Sequence, residues 1–193
     1  MKHYRLLLPL LLFAGLLISA CSRPEADTAA VPSKREPSLA AIATEAKGFT
    51  VGALMGAQTV YVFFDAQCPH CGHLWQASEA LHSKVKFVWI PVHMINAISA
   101  AQGAALLTAA NPGALMAEHE ISLLAGKGGI AGSSSVSAEI EQAMRKNTAL
   151  LNSFGAGSVP FLIARNVKTG QVLSREGALS SAALAEFVGL DLP

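Results

Sequence analysis

The chain has 193 residues, with 14 basic and 13 acidic side chains and a formal net charge of +1. So even a balance carries no nucleic-acid footprint. Three cysteines are too few to form a dense disulfide framework, and a chain of this length can bury one sizeable core without one.

The N-terminus carries Lys2, His3 and Arg5, then the apolar run "LLLPLLLFAGLLI" at 6–18, then the small residues Ser19 and Ala20. This order predicts a secretory signal over 1–20. The apolar run is shorter than the roughly 20 residues a membrane-spanning helix needs. Ile18-Ser19-Ala20-Cys21 resembles the lipobox of bacterial lipoproteins, which implies that Cys21 is acylated and begins the mature chain. Ser22 in the next position resembles the Gram-negative sorting pattern for the outer membrane, facing the periplasm. Removal of the signal would take away Lys2 and Arg5 and no acid, leaving 12 basic against 13 acidic residues. With Cys21 reserved for lipid, only Cys68 and Cys71 remain for other chemistry.

Residues 21–48 read as a lipid-anchored tether and a short linker helix. The stretch "SRPEADTAAVPSKREP" at 22–37 has almost nothing to bury. Ser38 is placed to cap a helix through about Lys47, with Leu39, Ile42 and Ala46 on one face and Gly48 as its stop. A folded domain is expected over 49–193. "TVYVFFD" at 59–65 is a continuous β-branched and aromatic run, suited to a central strand buried on both faces. Pro69 suits the first position of a helix, which continues through Leu74, Ala77, Ser78 and Leu81. "VKFVWIPV" at 85–92 supplies a second strand, so the three elements form a parallel crossover unit. Residues 97–153 read as three helical stretches separated by "NPG" at 111–113 and "GKGGIAGSSS" at 126–135. "SVPFLIARN" at 158–166 and "QVLSRE" at 171–176 read as a hairpin turning over Lys168-Thr169-Gly170. A last helix runs from its cap Ser180 to about Val188.

The chemistry concentrates in "FFDAQCPHCGHLW" at 63–75. The thiolate is the nucleophile in disulfide exchange, and a helix N-terminus, where Cys68 stands, favours negative charge. Cys71 lies about one turn on, within reach of a mixed disulfide on Cys68. His70 between them can donate a hydrogen bond or positive charge towards the Cys68 thiolate, which would make the disulfide more oxidising. Other readings stay open. A structural disulfide closing so short a loop would restrict the unfolded chain little. Metal binding through Cys68, Cys71 and His73, as in a metal-binding or metal-delivery lipoprotein, lacks the second half of a closed site. Haem attachment would need histidine where Gly72 stands. Asp65 is either an ordinary strand-end carboxylate or a proton shuttle for Cys71. Trp75 and Trp89 are expected in the core, Trp75 alternatively lining a substrate surface; His73 and His82 are expected on helix surfaces, and His93 and His119 show no partner.

A βαβ unit, a helical insertion and a closing β, β, α with CxxC opening the first helix is the thioredoxin arrangement. "YVFFDAQCPHCGHLWQ", "AALLTAANPGALMAEHE", "NTALLNSFGAGSVPFLI" and the terminal helix resemble the catalytic domain of periplasmic thiol:disulfide interchange proteins of the DsbG and DsbC type, over 49–193. The resemblance implies an α/β, thioredoxin-like fold with an all-helical insertion. It implies a disulfide oxidoreductase with Cys68 and Cys71 as the catalytic pair, tuned by Pro69, His70, Val159 and Pro160, with Pro160 as the family's cis-proline. No cofactor beyond the Cys68–Cys71 disulfide and no metal are expected. Partners would be exported proteins with cysteines or disulfides and a thiol redox partner. Two departures matter. No sizeable N-terminal dimerisation domain precedes the catalytic domain, so a monomer is expected. Val159 stands before the proline, which resembles DsbA, where the DsbG and DsbC type carries threonine; Cys-Pro-His-Cys resembles DsbA as well. Both departures point to an oxidase or a reductase rather than a dimeric isomerase.

Overall fold

The computed structural model describes residues 34–56 and 58–192. The signal, Cys21 and the tether as far as residue 33 lie outside the described residues. Five strands form one sheet in the order β1-β3-β2-β4-β5: β1 Phe49–Gly52, β2 Gln58–Asp65, β3 Val85–Val92, β4 Phe161–Arg165 and β5 Val172–Glu176. β2 and β3 run parallel, joined through helix α2, Pro69–Glu79; every other neighbouring pair is antiparallel.

β2 occupies the middle of the sheet, and its run of large apolar residues divides by parity. Val60, Val62 and Phe64 enter one core with Val85, Phe87 and Trp89 of β3, while Phe63, Ile90 and Val92 enter a second core on the opposite face. Both faces are dry, which is why the strand reads as continuous rather than alternating. The first core is covered by α2, by α4 (Pro112–Leu124) and by α6 (Ser181–Val188); the second by α5 (Ala138–Ser153) and α1 (Leu39–Glu45). α3, Ala97–Thr108, leads from β3 into α4. Thus 97–153 is an all-helical insertion between the crossover unit and the closing hairpin.

Helix starts follow their caps. The Ser38, Ser137 and Ser180 hydroxyls each accept a backbone N–H of the first turn of α1, α5 and α6, and Asn96 forms a capping box with Ser99 at α3. Three sequence readings need correction. "NPG" does not merely separate helices: Asn111 caps α4 and Pro112 is inside its first turn. α1 stops at Glu45 rather than about Lys47, with Ala46 extended at its end. Ser158, Val159 and Pro160, read as the start of a strand, form a loop ahead of β4. β1 was not anticipated: four residues ending on Gly52 at φ +90° give little periodicity to read.

α1 is docked rather than free. Ile42 is 1% exposed within the second core, and Arg35 pairs with Glu45 at 2.9 Å while lying over the Phe154 ring. At the far edge, β5 is five residues long and mostly exposed.

Candidate active site

Cys68 is the cap residue of α2 and Pro69 its first helical residue, so proline fixes the entry of the chain at a position where no helical N–H is lost. The Gly72 N–H and the Cys71 N–H both reach the Cys68 carbonyl, at 3.3 and 3.0 Å. Both cysteines are free thiols, Cys68 at the surface of the core and Cys71 fully buried beneath it. Their acidities diverge. Hydrogen bonding from the Cys71 thiol is the leading cause that brings Cys68 down to about 7; burial opposes it, the backbone N–H groups of Cys71 and His70 add to it, and Asp65 opposes. Burial pushes the Cys71 thiol well above the usual range, and hydrogen bonding to Cys68 pushes the same way. One sulfur is therefore a ready thiolate at neutral pH and the other holds its proton.

The Val159–Pro160 peptide bond is cis, and the loop it forms faces the thiol: Cys68 Sγ lies 3.5 Å from the Val159 carbonyl oxygen. The Pro160 carbonyl accepts the Gly177 N–H at 2.9 Å. Just before the loop, the Glu176 carboxylate accepts the Ser158 hydroxyl and the Gly157 N–H.

Asp65 ends β2 fully buried, and both of its oxygens accept backbone N–H groups. Oδ1 accepts the Gln67 N–H at 2.8 Å; Oδ2 accepts the N–H groups of Met94 and Ile95 at 2.8 and 3.0 Å. The carboxylate joins the turn before Cys68 to the loop after β3, the strand-end role rather than that of a mobile proton shuttle. Gln67 extends the join, donating to Gln102 Oε1 and the Gly128 carbonyl.

The insertion closes the site from below. On α4, the buried His119 donates from Nε2 to the Ala66 carbonyl at 2.6 Å and accepts the Ile130 N–H on Nδ1, which fixes a neutral tautomer; burial lowers its pKa. Its neighbour Glu120 is 1% exposed, and neither carboxyl oxygen has a hydrogen-bond partner among the described residues. Gly72 is what allows this approach: a Cβ there would lie 2.5 Å from Glu120 Oε2 and 3.1 Å from Leu124 Cγ. Burial, helped by the charge of Cys68, raises the Glu120 carboxyl to about 8. Sequence reasoning assigned a role to neither residue, because "AEHE" on a helix reads as a solvated face.

The His70 ring is exposed and stands 6.1 Å from that of His73, so what reaches Cys68 from this residue is its backbone N–H. Trp75 and Trp89 pack in the core with centroids 5.2 Å apart, and His82 is half-buried against Ser78. The exposed His93 donates its backbone N–H to Thr148 Oγ1. Among the described residues no three of His, Cys, Asp and Glu stand close enough together to hold a metal ion. A cavity of about 660 Å³ between α3 and α5 is lined by neither cysteine. No helix among the described residues is long and apolar enough to cross a membrane.

The sequence is 31% identical over 138 residues to the thiol:disulfide interchange protein DsbG of Pseudomonas aeruginosa, an alignment covering 68% of this chain and 51% of that protein. The chain thus matches about half the length of that relative. No family model matches it. Among solved structures, it is similar to a periplasmic thioredoxin-like protein from Salmonella enterica serovar Typhimurium, with a TM-score of 0.60 and 19% identity over 80% of this chain and 97% of that one. The catalytic domain of Proteus mirabilis ScsC gives 0.59 and 18%, over 77% and 90%. A disulfide interchange protein from Neisseria gonorrhoeae gives 0.57 and 19%, over 75% and 97%. These likenesses show a thioredoxin-like fold.

Proposed function

The chain is a thioredoxin-fold homologue of the thiol:disulfide interchange protein DsbG, and from that premise we propose that it is a thiol:disulfide oxidoreductase of the periplasm, acting on exported proteins through Cys68 and Cys71. The observation that carries this reading is the opposed acidity of the two thiols at one helix start: Cys68 held near 7, Cys71 held protonated beneath it. Cys68 attacks a substrate disulfide or receives a substrate thiolate, and Cys71 resolves the mixed disulfide. The cis-Pro160 loop beside Cys68 aligns an extended substrate segment. Redox equivalents reside in the Cys68–Cys71 couple itself, with no further cofactor.

The test is trapping. Cys71→Ser should accumulate mixed disulfides with exported proteins, because attack remains possible and escape is blocked; Cys68→Ser should accumulate almost none. Equal trapping by both variants would overturn the assignment.

The finer reading is an oxidase or reductase, monomeric and tethered to the membrane, with the outer membrane favoured, through a lipid on Cys21. It rests on Cys-Pro-His-Cys, on Val159 before the proline, and on the lipobox-like residues 18–21. A couple more oxidising than thioredoxin's roughly −270 mV would support an oxidase; a thioredoxin-like potential would leave a reductase. Fatty-acid labelling lost in Cys21→Ser would support the tether, and an unlabelled wild type would defeat it. Sedimentation of a chain beginning after Cys21 tests the monomer.

A further inference from the structure

Among the described residues, Glu120 is a buried carboxyl without a partner, and the fold gives no reason for it to be a carboxyl. Asp65 is equally buried but accepts three backbone N–H groups; His119, one residue away on α4, has both ring nitrogens engaged. Among the described residues the Glu120 oxygens accept and donate nothing. Buried polar atoms are otherwise almost always paired, so an exception calls for a chemical use. What adjoins this carboxyl is the redox helix. Oε2 occupies the space that a side chain on Gly72 would need, and Gly72 directly follows Cys71.

We propose that Glu120 carries the proton that Cys71 must lose and regain in each exchange, a role that rests on the oxidoreductase reading above. When a substrate thiolate attacks Sγ of Cys68, the Cys68–Cys71 bond breaks and its electron pair goes to the Cys71 sulfur. Glu120 gives that sulfur its proton, leaving a Cys71 thiol, a Glu120 carboxylate and a mixed disulfide on Cys68. In the opposite direction the carboxylate takes the proton from Cys71 as its sulfur attacks Cys68. The bond between Cys68 and substrate breaks and the substrate leaves as a thiolate. The two electrons pass between the couple and the substrate, and no further oxidant or reductant enters either step.

The surroundings suit this traffic. A naked thiolate at Cys71 is disfavoured by the same burial that keeps Glu120 protonated at neutral pH, so an acid able to neutralise it is already in place. The charge on Cys68 is one of the two causes that hold the carboxyl high. In the mixed disulfide that charge is gone, and Glu120 ionises more readily at the stage where it must accept a proton. Few other groups compete. From α2, Cys68 and Cys71 bear on it, while His70 and His73 are exposed; Asp65 is held by backbone donors, and His119 is turned towards Ala66 and Ile130. α3 and β1, also packed on α4, carry no titratable side chain.

The experiment loads Cys68 as its mixed disulfide with glutathione and follows glutathione release against pH. Glu120→Gln should release it on the order of a hundredfold more slowly at pH 7, with a rate that only climbs with hydroxide and lacks the wild-type inflection. Iodoacetamide modification of Cys68 should keep its pH midpoint in the variant, which separates proton carriage from a damaged nucleophile. Release at the wild-type rate with the wild-type profile would overturn the role of Glu120 alone. A wild type that neither forms nor resolves the mixed disulfide would overturn the oxidoreductase reading and this role with it. Should Glu120→Gln fail to fold, carboxyl carbon NMR of the wild type decides: the Glu120 midpoint should fall once Cys68 is alkylated, and an unmoved midpoint refutes the proposal.

Discussion

Ser158 donates its hydroxyl to the Glu176 carboxylate at 2.6 Å, so the last residue of β5 holds the loop whose next two residues form the cis peptide facing Cys68. The Gly157 N–H donates to the same carboxylate at 3.3 Å. Because the pair is exposed, its loss should cost only about 1 kcal/mol of stability. The effect on exchange should be larger if this loop aligns substrate as proposed, since a misplacement of about 1 Å is costly to rate. Glu176→Ala should lower turnover of a disulfide-bonded peptide severalfold with a nearly unchanged Tm. An unchanged turnover would show that the loop holds its place without this carboxylate.

Cys68 and Cys71 should be distinguishable by alkylation in the reduced native protein. Modification of Cys68 should rise as pH passes through about 7, where its thiolate forms. Cys71 should stay unmodified until the protein is denatured, since it is fully buried and its thiol is held protonated. Mass spectrometry of quenched samples checks both, and early double labelling would contradict the buried placement of Cys71.

Removal of the Asp65 carboxylate should be among the most damaging single changes outside the cysteines. Asp65→Ala leaves three backbone N–H groups without their acceptor, at a cost of roughly 3 kcal/mol or more. Asp65→Asn should cost less, since one carbonyl oxygen remains and only one side of the clamp meets an amide NH2. Urea denaturation of the reduced proteins measures the order, and equal losses would contradict it.

Glu120 makes stability depend on pH with a defined sign. The folded chain holds its proton up to about 8, against an ordinary 4.5, so the folded state binds that proton more tightly than the unfolded. Its contribution is complete below about 4.5 and is lost as pH rises towards and through 8. The gap between Glu120→Gln and the wild type should therefore widen in favour of the variant across that window. The widening should reach a few kcal/mol, because each tenfold difference in proton affinity between the two states is worth roughly 1.4 kcal/mol. Parallel stability profiles would mean that the carboxyl is not held neutral.

What could be read from the sequence was what is encoded locally. The apolar run of β2, Pro69 at the first turn of α2 and the serine caps of α1 and α6 depend on neighbours within a few residues, and each stands where the pattern put it. The cysteine pair was legible because its chemistry and its spacing occur together in four residues. The rest depends on partners far away in the chain. The donors to Asp65 Oδ2 lie 29 and 30 residues on, and Glu120 becomes buried only once α4 docks across Gly72. β1 is a strand because Phe49 to Gly52 pair with β3, not because four residues insist on it.

The edge strand β5 has a consequence for aggregation. On the proposed function the protein meets exported chains before they are folded; their exposed backbone seeks a template, and an open sheet margin is a ready one. This margin is five residues long and ends in Arg175 and Glu176, both exposed, with Ser174 exposed beside them. Short length and charge of both signs make it a poor site for strand addition. Clients should therefore leave as released thiols or disulfides and not remain annealed to the sheet.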